Sequence, residues 1–126
     1  MSPDKNPHFN HISRAPYELG NLLKGMPPDV SMYEPQSADT CLMAAAAQQH
    51  ATNGLSTLLD GLEALGSLMV IAGSCDDLNV GNDVVRSLGA MIEHIAVDIQ
   101  HLYEVEQDMS AIVKSNEKRT GKAGAK

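Results

Sequence analysis

Four side chains in the C-terminal half of the chain, His94, Asp98, His101 and Glu104, follow one another at steps of four, three and three. On a helix that spacing puts imidazoles and carboxylates on one face, the arrangement with which helical bundles hold zinc or iron when a facing helix adds further ligands. The facing residues available are only His50, Asp60 and Glu63, and no Glu-x-x-His pair occurs anywhere. By the heptad count His94 and His101 also fall at an outward position. A solvated polar face is therefore the preferred reading. His94, Asp98 and His101 stand as secondary metal-ligand candidates, and no cofactor is expected.

Other chemistry is sparser still. Cys75 is the one nucleophile type near a loop, and it reads as a structural thiol. The chain has no Cys-x-x-Cys, no Gly-x-Ser-x-Gly and no phosphate-binding glycine loop. Gln48 and Glu106 sit where apolar residues belong, and buried polar residues at such places fix register or partner number. No catalytic residue is assigned, and the expectation is a protein that is not an enzyme.

These residues are placed by a stretch from Ser37 to Val113 that reads as two long amphipathic helices joined at Gly73 to Asp77. Cys41, Ala44, Gln48, Ala51, Leu55, Leu58, Leu62, Leu65, Met69 and Ala72 alternate by threes and fours on the first. Val85, Leu88, Ile92, Ile95, Ile99, Leu102, Glu106, Met109 and Val113 repeat the pattern on the second. That is the seam of a packed helix pair. Ala47, Gly54 and Gly61 recur at seven-residue intervals beside it, as do Gly89 and Ala96. Glycine inside a helix costs about 1 kcal/mol relative to alanine, so the repeats predict close approach of the two backbones. The run Ala44 to Ala47 favours helix but offers little to bury.

Ser37 or Asp39 is the expected N-cap of the first long helix, and Gly73 its C-terminal glycine. The second begins at Asp76 or Asn82. All six prolines lie in the first thirty-five residues, so residues 1–36 form an irregular leader. One short helix, Ala15 to Gly25, fits within it. Residues 37–113 form the hairpin, and residues 114–126, rich in Gly, Ala and Lys, are expected to be a flexible, disordered basic tail.

The second helix carries a further apolar row beside its seam, Val84, Met91, Val105 and Ile112, interrupted by Asp98. A lone hairpin cannot hide it. The predicted fold is all-α: a long antiparallel helical hairpin that dimerises into a four-helix bundle, since closed twofold dimers are the commonest way to bury a leftover face. Low aromatic content, one Phe, three Tyr and no Trp, suits helix packing better than a sheet.

Charge narrows the partners. Of the net −7, the hairpin holds eleven acidic residues against one basic, Arg86, whereas the tail has five basic residues and one acidic. Such a rod disfavours direct contact with nucleic acid or an anionic membrane and favours a basic partner. Uninterrupted apolar runs such as Leu68 to Ala72 are far short of the roughly 20 residues of a membrane span. A cytoplasmic protein is expected. Cys41 and Cys75, roughly 50 Å apart along a helix at ~1.5 Å per residue, cannot pair within one chain.

These properties point to a small acidic interaction protein, homodimeric, that binds and regulates or inhibits an unidentified partner protein. Tyr17, Leu22, Leu23 and Tyr33 are its candidate partner-binding residues, because aromatic and apolar anchors dominate interface energetics and the leader holds three of the four aromatics. The alternative is an acidic mimic of nucleic acid, such as a phage protein would use against a host nuclease or defence complex. A metal-binding four-helix bundle ranks third.

Overall fold

The computed structural model describes residues 5–77 and 79–124, and among them every regular element is helical. A short 3-10 turn, Ile12–Arg14, leads into α1 (Ala15–Gly25), followed by α2 (Ala38–Gly73) and α3 (Asn82–Gly124). At ~1.5 Å per residue α2 is about 54 Å long and α3 about 64 Å.

Helix α1 starts where Pro16 suits a first turn and stops where Met26 turns extended ahead of Pro27 and Pro28. Its Ala15, Leu19 and Leu22, spaced by four and three, are buried against α2. The cap of α2 is Ser37, whose Oγ accepts the Thr40 amide at 3.1 Å, while Asp39 lies in the first turn. At the far end no glycine among the described residues adopts a left-handed conformation. The last carbonyls of α2 are taken up by Ser74 instead: its amide donates to Val70 and Ile71, and its hydroxyl donates to Val70 at 2.8 Å. Gly73 ends the helix without being the left-handed cap expected of it. Helix α3 begins at the later of the two expected points, Asn82, with Gly81 accepting the first amides.

Helices α2 and α3 pack along their length. The Gln48 amide donates to the Glu106 carboxylate at 3.3 Å, and a Cβ on Gly54 would come within 3.0 Å of Leu102. As position advances on α2 the partner recedes on α3, so the pair is antiparallel. Close approach does not repeat at every glycine: Gly61 and Gly89 have nothing within 4 Å of a built Cβ. Gly61 and Gly89 are exposed, and of these glycines only Gly54 meets the facing helix.

Two expectations are corrected at the base of the hairpin. The segment from Lys114 onward is no flexible tail but a continuation of α3 through Gly124. It lacks proline, and its basic side chains complement the negative end of the helix macrodipole. It also holds the leader: Arg119 donates to the carbonyls of Glu34 at 2.8 Å and Met32 at 2.9 Å, and Asn116 Oδ1 accepts the Gln36 amide at 3.3 Å. The alanine run, expected to bury little, is the floor of the core. Ala44, Ala46, Ala47 and Ala51 have no exposed surface, because α1 and α3 approach α2 from different sides and only small residues fit between them.

The core is confined to this base. Leu19, Leu22, Val105, Met109 and Ile112 close around the alanines, with Phe9, Met26, Val30 and Val113 packed at the margin. No described residue from Thr52 to Glu104 is buried.

Candidate functional site

The leader acts as a third wall for the hairpin, but it is short. The second apolar row of α3 records where it ends: Val105 and Ile112 are buried, whereas Met91 and Val84, two and three heptads nearer the loop than Val105, are exposed. Beyond the leader's reach the seam itself is only half covered. Leu55, Leu58, Leu62, Leu65, Leu88, Ile92, Ile95, Ile99 and Leu102 are half-buried, Met109 is buried at the base, and Met69 is exposed near the loop. Around them Leu59, Leu68, Ile71, Val85 and Val97 face solvent, and Val70 is 71% exposed. These side chains leave apolar surface uncovered within the single chain.

The same uncovered residues give α2 a stretch of mean hydropathy 1.5, none of it buried, so that by length and composition alone it passes for a membrane span. Helix α2 also carries Asp60 and Glu63, and charged groups at a bilayer centre cost about 2.5 to 3.5 kcal/mol each.

Acidic side chains surround this face. Asp60, Glu63, Asp83, Glu93, Asp98, Glu104 and Asp108 are all exposed. The ion pair found among the described residues, His8 Nε2 with Asp39 Oδ1 at 2.7 Å, lies at the base and engages none of them.

His94, Asp98 and His101 are exposed on α3, and no group of three potential metal ligands converges among the described residues. Of the partner-binding candidates, Tyr17 and Tyr33 are exposed, Tyr33 at 81%, with the Arg14 guanidinium stacked on the Tyr17 ring. Leu22 and Leu23 do not share that availability. Leu22 is buried and Leu23 half-buried because the inward face of α1 is spent on α2. Cys41 and Cys75 are free, and burial pushes the Cys41 thiol up.

A second feature escaped the sequence pattern. His50 lies one position off the seam, is 1% exposed, and neither ring nitrogen has a hydrogen-bond partner among the described residues. The Phe9 ring packs against it at 4.8 Å between centroids. Desolvation holds its imidazole below the ordinary 6.5, opposed in smaller measure by the Glu18 carboxylate. It forms part of the wall of a cavity of about 560 Å³ between α1, α2 and α3, which also takes in Leu19, Leu23, Leu58 and Leu102. The signal available beforehand was a histidine adjacent to seam residue Ala51, a position that is buried only if a third helix covers it.

No family model, curated protein or solved structure matches the chain.

Proposed function

We propose that the chain is a non-enzymatic interaction protein that works as a homodimer and binds and regulates a partner protein in the cytoplasm. In this reading the far halves of two hairpins pack together as a four-helix bundle, each copy covering in the other what the leader covers at the base. One observation carries the reading: a single apolar row on α3 is buried where the leader reaches it and bare where it does not.

Sedimentation equilibrium at micromolar concentration tests it. Twice the chain mass is expected, and Met91→Glu, which places a charge on the bare row, should return the protein to a monomer. A wild-type monomer at all concentrations would remove the bundle.

The exposed carboxylates favour a second reading, a mimic of nucleic acid presented to a basic groove. All seven lie free of ion pairs among the described residues, as a charge-presenting surface requires. Ionic strength separates the two. A mimic releases its target steeply as salt rises, whereas an apolar interface does not.

A further inference from the structure

We propose that the groove in which α1 lies continues, uncovered, toward the loop of the hairpin and is the seat of a basic amphipathic helix from another protein, which displaces the second copy. This rests on the reading of the bare face as an interaction surface and names its partner and its regulation: the homodimer keeps the groove covered until the helix takes it.

Helix α1 shows what the groove accepts. Its Ala15, Leu19 and Leu22, at steps of four and three, are buried against α2. A Cβ on Gly25 would meet the Met43 side chain at 3.2 Å, so the C-terminus of α1 lies at the base and its N-terminus points toward the loop. At that N-terminal end α1 gives way to a cavity of about 560 Å³, walled by Gly54, Thr57 and Leu58 of α2 and by Asp98 and Leu102 of α3. Steps of seven keep to one face of a packed helix, so both walls can be followed toward the loop. Gly54 leads to Gly61 and Leu68, Thr57 to Ala64 and Ile71, and Asp98 to Met91 and Val84. All six of these further residues are exposed. From Asp98 to Val84 the strip is ~21 Å long, about four turns of a helix.

Small residues on the α2 wall fit the same occupant. Gly61 is interior to α2, where glycine weakens a helix, and no contact within the chain accounts for it, since a Cβ there would meet nothing within 4 Å. Gly54 has its reason in Leu102 of α3. A helix lying against Gly61 and Ala64 gives the glycine repeat its second contact.

Charge chooses between occupants. Asp98 interrupts the apolar row of α3, Asp83 is next to Val84, and Asp60 is one turn from both Thr57 and Ala64; all three are exposed and without an ion pair among the described residues. Between Thr52 and Glu104 the one lysine or arginine is Arg86. A second copy brings the same carboxylates to the groove, and like charges oppose its seating. A helix with lysines or arginines beside its apolar stripe meets those carboxylates with the opposite sign.

The test uses a peptide of about 18 residues, ~27 Å as a helix, with leucines at steps of three and four, one of them replaced by Trp, and lysines elsewhere. The chain has no Trp, so the emission reports the surroundings of the peptide alone. Titrated into the full chain at physiological salt, the peptide should bind saturably with its emission moving to the blue, and the saturated complex should sediment as one chain with one peptide. The same residues in scrambled order, and a version with glutamate for every lysine, should each bind roughly tenfold more weakly or worse. Asp98→Lys, a change at an exposed position, should weaken capture roughly tenfold, whereas Asp108→Lys, exposed ~15 Å further along α3, should alter it less than about twofold. Equal binding of the scrambled peptide would overturn the proposal in favour of carboxylates that act by charge alone, as in a mimic of nucleic acid. Equal binding of the glutamate peptide, capture undiminished by Asp98→Lys, a peptide bound to an intact dimer, or no saturable binding would each overturn it too. Sedimentation of the protein alone judges the homodimer separately. A chain that is monomeric alone yet captures the peptide would remove the bundle and support the helix seat, whereas a dimer that ignores the peptide would keep the bundle and overturn the seat.

Discussion

His50 and the seam leucines respond to different perturbations, because one is buried by the leader and the others are half-covered by a single neighbouring helix. As pH drops below about 6.5 the unfolded chain binds a proton that the folded chain, with His50 held low by burial, refuses. Stability from this residue is complete above that value and is lost below it. Urea midpoints measured from about pH 8 to about pH 5 should fall in the acidic half, and His50→Phe should flatten that fall. Truncations read the packing. Leu19→Ala, at 4% exposure, should cost roughly 2 to 5 kcal/mol at any protein concentration. Leu62→Ala and Ile95→Ala remove side chains that are only half-buried within one chain. Each should cost about half as much in dilute monomer and approach the full value where the dimer forms. A concentration-independent cost at Leu62 and Ile95 would place their burial within one chain and count against the bundle.

Among the elements, the leader packs against the base of the hairpin. Its residues close the core over the alanine run, so removing residues 1–36 should bare Ala44, Ala47 and Ala51 and the Val105 and Ile112 row. The truncated chain is expected to lose helicity at the base of the hairpin and to aggregate, which circular dichroism and light scattering would register. A truncated protein with unchanged helicity and mass would mean that the leader is a separate recognition element. The clamp can be loosened more gently. Arg119→Ala removes two donors to leader carbonyls, and amide exchange should quicken across residues 30–36 while the α2 and α3 amides stay protected. Arg119→Lys should restore protection only in part, because one ammonium does not reproduce the fork geometry of a guanidinium.

On the scale of the whole molecule, the hairpin is unevenly covered: packed at the end that holds the termini of its helices α2 and α3 opposite the loop, bare toward the loop. A dimer built on the bare end brings together two strongly acidic rods. Its association constant should therefore rise with added salt, as screening relieves like-charge repulsion. Binding of a basic target by the carboxylates would fall with salt instead. A salt series in the ultracentrifuge, run with and without a polycationic probe such as polylysine, separates the two behaviours by sign. Thermal midpoints that rise with protein concentration would add independent support for the dimer.

Much of this was written in local pattern. Period-3.5 apolar spacing, the prolines of the leader, the Ser37 cap and the limits of the short helix Ala15–Gly25 all act over a few residues, and each appears in the fold. Even the Gln48 and Glu106 meeting follows from spacing, since both lie on the seam of facing helices. What the sequence did not reveal depends on which element lies beside which. The alanine run became the core because two helices approach it at once. Lys114 to Gly124 became helix rather than tail in a segment whose Asn116 and Arg119 hold the leader, and Leu22 lost its availability to the same docking. His50 had no periodic signature, because its burial is imposed by a third element from outside the hairpin. Tertiary contact decided each of these, for burial and cavity depend on chain segments some eighty residues apart in sequence, such as the 85 that separate Glu34 from Arg119.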